Sequence, residues 1–264
     1  LDTFVRLYWL QRAEPSFDRQ EQGVRLGGSY RLPERSTTFS SEIGVEQIEA
    51  NEVDFAQAPG LTSATVAAFS FGSSWDKRDS ALTPANGFAV RTDSEFGVPV
   101  LGDAEYQKVE LLTSYHHPVS KTQVLHIGLR GGILTSVGGA TTNVPVGKRF
   151  FPGGENSVRG FLEGEAAPLD AATGKPIGAE SYQLLNVQFE QRLLPSLSLN
   201  IFSDTVTFSR DFQEMIPKDF LSSLGIGLSY NTPLGPIRLE YGYNVIKRTQ
   251  DDPGALHFSL GFPF

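Results

Sequence analysis

The sequence predicts an all-β fold: an antiparallel transmembrane β-barrel of about twelve strands. Three observations carry this expectation. Apolar residues recur at every second position in successive short segments, most cleanly in the last third of the chain. There is no uninterrupted apolar run of the roughly 18 residues that a membrane-spanning helix needs. The 27 Gly and 16 Pro supply many turns and disfavour helices. The 39% hydrophobic content would suit a soluble protein, but a membrane barrel keeps polar residues towards its lumen, so its average is always diluted. Aromatic residues, at 11%, are sufficient for a girdle at the membrane interface.

The 264 residues accommodate one large β-domain, 1–264. Residues 3–13 are aromatic and β-prone, and 20–32 and 37–50 are the next two candidate strands. In 65–75, Ala67, Phe69, Phe71, Ser73 and Trp75 share one face. A turn follows at Pro84 and Asn86-Gly87, and Phe88 restarts the wall. The segment 88–96 places Arg91, Asp93 and Glu95 inward. In 107–115, Val109, Leu111, Thr113 and Tyr115 face outward, and 123–133 continues with Leu125, Ile127 and Leu129.

Period-2 order stops between about 135 and 180, a connection too long to be idle inside a compact barrel. It then resumes. Leu185, Val187 and Phe189 alternate with Asn186, Gln188 and Glu190, and the next segment keeps Asn200 and Asp204 on its polar face. Leu224, Ile226, Leu228 and Tyr230 lie opposite glycines and Ser229. After the turn 231–235, Ile237, Leu239, Tyr241 and Tyr243 alternate with Arg238, Glu240, Gly242 and Asn244. The chain finishes on Leu256, Phe258, Leu260, Phe262 and Phe264 in strict alternation, with Pro263 at a strand end where a missing N–H is tolerated.

Within the long connection stands Phe150-Phe151-Pro152-Gly153-Gly154-Glu155-Asn156-Ser157-Val158-Arg159-Gly160-Phe161. Gly153 and Gly154 permit a tight turn at positive φ, and Gly160 lets backbone come close beside Arg159. This stretch resembles the Val-Arg-Gly-Phe/Tyr loop of the BamA/TamA superfamily of outer-membrane barrels, which assemble or translocate other proteins. Asp76-Lys77-Arg78-Asp79 with Pro84 and Gly87-Phe88, and the segment 235–243, resemble further parts of that superfamily, and the resemblance covers most of residues 74–264. It implies a lumen-inserting loop carrying Gly153, Gly154, Val158, Arg159, Gly160 and Phe161. It also implies that Arg159 docks on the inner wall, with Glu190 and Asp204 as its partners. Phe258, Leu260, Phe262 and Phe264 resemble the C-terminal signal by which such barrels are recognised for insertion. Residues 163–179 depart from the family pattern and read as an external insertion.

The resemblance further implies a bacterial outer-membrane location and outer-membrane lipids as surroundings. Its implied partners are client barrels or secreted proteins, with periplasmic chaperones or accessory lipoproteins as helpers. Family barrels have about sixteen strands, within the range open to such walls, and follow periplasmic POTRA domains that are absent from this sequence. Two forms stay open: a complete wall of about twelve strands, or the later part of a sixteen-stranded one. Closure of the smaller wall would set residues 3–12 beside 256–262; otherwise the edges would pair with another chain.

Other chemistry is not supported. The four His residues show no metal-ligand spacing, and His116 and His117 are adjacent, so on a strand they face opposite ways. There is no Gly-x-Ser-x-Gly elbow or phosphate loop, and no Cys. No enzymatic activity and no cofactor are expected. The net charge of −8 argues against a nucleic-acid partner. The leading function is assistance in inserting or translocating other proteins. A passive diffusion pore is the alternative, as is a membrane translocator for a fused passenger such as a patatin-type lipase. A soluble β-sandwich would instead leave its apolar rows in water.

Overall fold

The computed structural model describes residues 1–32, 36–56, 59–136, 144–209 and 220–261. Twelve strands follow one another: β1 (Asp2–Glu14), β2 (Phe17–Leu32), β3 (Thr37–Asn51), β4 (Ser63–Asp76), β5 (Gly87–Gly97), β6 (Tyr106–Pro118), β7 (Gln123–Thr135), β8 (Ser181–Leu194), β9 (Leu197–Ser209), β10 (Phe220–Thr232), β11 (Gly235–Ile246) and β12 (Gly254–Leu260). They form one twelve-stranded antiparallel sheet in which every ladder joins consecutive strands. Because direction alternates, the start of β1 and the finish of β12 share one end of the wall. The long connection leaves from the opposite, far end.

Alternation sets the two faces. On the C-terminal strands, Leu224, Ile226, Leu228, Ile237, Leu239, Tyr241, Phe258 and Leu260 are all exposed, whereas Ser223, Arg238, Glu240, Asn244 and Ser259 are buried. An apolar exterior around a polar interior is the arrangement of a membrane barrel, the inverse of a soluble one. Register preserves it across strands: Leu239 stands between Leu228 of β10 and Phe258 of β12, and Glu240 between Gly227 and His257. A slip of one residue would turn every one of these faces over.

The wall curls around the connection between β7 and β8, and 163–179 is not the external insertion expected: Ala166, Ala167, Ile177 and Ala179 are fully buried, with Ala166 and Ala179 packed in clusters against the wall. Residues of that connection bond to β2, β3, β6, β8, β9, β11 and β12 alike. Two apolar clusters form where it packs near the far end. One joins Ile48, Val66, Tyr106 and Leu134 of the wall to Val144, Phe150 and Ala179. The other joins Leu184, Val206 and Leu221 to Val158, Phe161 and Ala166.

Closure of the twelve strands on themselves is not realised. No ladder joins β1 to β12, so each keeps an unpaired edge among the described residues. Barrel diameter grows with strand number, and the interior here is occupied by the connection and by large side chains such as Arg159, Arg238 and Phe202. Twelve strands bent around that filling do not reach full circle. Of the terminal residues expected to form an insertion signal, Phe258 and Leu260 lie on the outer face, 72% and 61% exposed, while Phe262 and Phe264 fall outside the described residues.

Candidate functional site

The site begins with the local chemistry of 150–161. Gly153 and Gly154 adopt φ of 128° and 93°, values that side chains rarely tolerate. The N–H of Gly154 donates to Phe161 O at 3.0 Å, and that of Phe161 to Val158 O at 3.0 Å. The N–H of Gly153 donates to Ser157 Oγ at 3.1 Å. The segment is thus a compact double turn, with Val158 and Phe161 pressed into the apolar cluster on β8, β9 and β10. Seating these two side chains aims Arg159, which lies between them, at the polar inner wall.

Arg159 is 1% exposed. Its Nε and Nη2 donate to Asp204 Oδ2 and Oδ1 at 2.8 Å each, the bidentate fork that a planar guanidinium favours. Its backbone N–H also donates to Asp204 Oδ2, at 3.0 Å. Nη1 donates to Gln188 Oε1 at 2.7 Å and to Glu240 Oε1 at 3.0 Å. The guanidinium carbon lies 3.5 Å from the ring centroid of Phe202, a cation–π contact beneath the fork. Around it, Asn186 Nδ2 donates to Asp204 Oδ1 at 2.7 Å, and Arg238 Nη1 donates to the free oxygen of Glu240 at 2.8 Å. Two cations, Arg159 and Arg238, meet two anions, Asp204 and Glu240, so the buried group is neutral as a whole. Such balance is required where water is excluded.

The backbone is held as firmly. Asn244 Nδ2 donates to Gly160 O at 2.7 Å, and His257 Nε2 lies 3.1 Å from Arg159 O, bringing β11 and β12 onto the motif. Glycines make that approach possible. A Cβ on Gly160 would stand 1.8 Å from Asn244 Oδ1, and one on Gly242 would stand 2.3 Å from Arg159 O. Gly160→Ala and Gly242→Ala are therefore each expected to destabilise the docked motif by about 1–3 kcal/mol through overpacking. Faster hydrogen exchange at 153–161 in either variant would show it.

Asp204, as the sequence suggested, faces Arg159. Glu190 does not. Its Oε1 accepts from Ser198 Oγ at 2.6 Å and its Oε2 lies 3.1 Å from His126 Nε2, whose other ring nitrogen is 2.8 Å from His116 Nδ1. The reason is strand geometry. Glu190 and Gln188 share the inner face, but two residues along a strand is roughly 6.6 Å, and the motif sits opposite Gln188. The second carboxylate comes instead from Glu240, three strands away. Alternation had placed Glu240 inward within 235–243; its pairing with Arg159 needs the curvature of the wall, which alternation does not contain.

Residues 5–264 match the model of the Omp85 superfamily domain. The outer membrane protein assembly factor BamA of Nitratidesulfovibrio vulgaris is 27% identical over 192 residues, which cover 70% of this chain and 24% of that protein. BamA of Neisseria meningitidis serogroup B is 25% identical over 251 residues, covering 80% and 31%. The crystal structure of BamA from Haemophilus ducreyi lacking POTRA domains 1-3 superposes with a TM-score of 0.78 at 17% identity, covering 97% of this chain and 57% of that one. The chain thus spans about a quarter to a third of the length of these curated relatives.

Proposed function

The chain belongs to the Omp85 superfamily of outer-membrane barrels, and from that premise we propose that it assists the insertion or translocation of other proteins at the bacterial outer membrane. The observation that carries this reading is Arg159 seated on Asp204 and Glu240, in a chain similar along most of its length to BamA assembly factors. Among the described residues β12 has no ladder on its outer side, and an edge of that kind would fit such work. A free row of N–H and C=O groups is a template for another strand, and strand addition needs no nucleotide. Clients would be β-rich outer-membrane or secreted proteins, with periplasmic chaperones or lipoproteins delivering them. The role is one of templating and not of enzymatic turnover.

The test is reconstitution into lipid vesicles with an unfolded outer-membrane barrel held by a periplasmic chaperone. Vesicles containing the chain should convert the client to a protease-resistant, heat-modifiable form several times faster than empty vesicles. The pore reading is favoured by two polar interior cavities of about 320 and 380 Å³, which share Lys108 and Glu110 in their linings. Steady single-channel conductance with no gain in client folding would move the assignment to that reading.

A further inference from the structure

We infer that the connection between β7 and β8 is a two-ended brace across the lumen, and that Lys148 is the positioning residue that fixes its second end. The first end is the Arg159 site on β8, β9 and β11. The second lies on β2, β3, β5 and β6, and it repeats the same chemistry with different residues.

Lys148 closes a single 3-10 turn, Val146–Lys148, all of which is buried. Its Nζ is ion-paired with Glu46 of β3 and with Glu95 of β5, the latter at 2.8 Å. Arg25 of β2 bonds to the other oxygens of the same two carboxylates, at 2.7 and 3.3 Å. Arg25 also lies 3.9 Å from Glu42, which pairs with Arg6, so three cations meet three anions and charge is again balanced, as around Arg159. Burial opposes the charge on Lys148, but Glu95, Tyr106 and Glu46 outweigh it and hold the ammonium well above its ordinary range. The main chain is fixed as well. Lys108 Nζ donates to Lys148 O at 3.0 Å, and Arg19 Nη1 to Gly147 O at 2.9 Å.

Between its ends the brace is stiff. Phe150 and Ala179 exchange backbone hydrogen bonds of 3.0 and 2.8 Å, and Arg149 Nη1 donates to Glu180 Oε1 at 3.0 Å. The two limbs are therefore zipped into one unit before the chain reaches Gly153. A stiff segment fixed at both ends to different parts of a curved sheet determines how far apart those parts stand. Here that distance also sets how β3 and β10 stand to each other, because every strand between them is laddered to its neighbour. Stability alone does not require this arrangement: a loop tied only at Arg159 would fill the lumen without fixing the span.

The chain contains no cysteine, so introduced cysteines can be labelled cleanly. Spin labels at Ile43→Cys on β3 and Ile226→Cys on β10, both outward-facing and exposed, report the span by pulsed dipolar spectroscopy in lipid vesicles. Lys148→Ala should shift and broaden the distance distribution, and Lys148→Arg should restore it. Should Lys148→Ala fail to insert, the double variant Lys148→Met with Glu95→Gln removes the clamp but leaves Arg25 and Glu46 as a neutral pair, and it should show the same broadening. A lowered unfolding midpoint with a wild-type distribution would overturn the proposal, because a purely stabilising lysine gives that result. So would a wild-type distribution in the balanced double variant.

Discussion

Arg159→Ala is expected to unseat the connection at its first end while the wall still inserts. The substitution removes every side-chain contact between residue 159 and Asp204, Gln188 and Glu240. Asp204 and Glu240 are left in a site with almost no access to water. Stranding a buried charge in this way costs roughly 3–5 kcal/mol, more than the pair contributes net. The motif would therefore leave its seat, and 153–161 would become accessible to protease and exchange freely. Arg159→Lys should recover little, because an ammonium can neither form the fork on Asp204 nor lie flat over Phe202. Insertion should survive, since no outward-facing residue is touched: heat-modifiable mobility stays while client folding falls. A connection as protected in Arg159→Ala as in the native chain would refute the role assigned to the site.

Leu239→Arg should have the opposite profile, harming the wall and leaving the site chemistry alone. Leu239 is outward, midway along β11, between Leu228 and Phe258. A cation placed there in hydrocarbon costs roughly 2–4 kcal/mol, against about 0–1 kcal/mol near the interface. Val245→Arg supplies the comparison, since Val245 is also outward but lies near the far end of the same strand. Denaturant unfolding in vesicles should rank native above Val245→Arg above Leu239→Arg. Equal penalties at the two positions would mean that β11 does not cross the membrane as its outer face indicates. The neighbouring residue sharpens the point: Arg238 is an arginine already, tolerated because it faces inward onto Glu240.

The wall was legible because its signal is local. Each strand announces itself by its own alternation, and Leu224 to Tyr230 or Ile237 to Tyr243 need no distant residue to be assigned a face. The seat of Val158, Arg159 and Phe161 was legible from the motif, and Asp204 from the polar face of β9. What the sequence concealed is everything that depends on curvature. Glu240 meets Arg159 across 81 residues, and Lys148 meets Glu46 across 102. Lys148 carries no local mark at all: it is one lysine in a stretch without period. Glu190 failed for a smaller reason. Alternation gives the face of a residue but not its height along the strand, so Gln188 and Glu190 could not be told apart.

These separations bear on how the molecule assembles. Apart from the step between β7 and β8, each ladder closes a short segment, so hairpins can zip one after another at small entropic cost. The ion pairs of the connection close far longer loops, and their partners lie on strands that must already stand side by side. Arg159 can find both carboxylates only once β9, β10 and β11 are in register, and Lys148 can find its own only once β3, β4 and β5 are. Docking is thus expected to follow registration of β3–β5 and β9–β11, and to succeed only where those strands are correctly paired. A chain with one slipped strand would present the wrong face at Asp204 or Glu240 and leave its arginine outside, so the connection proofreads the barrel that holds it.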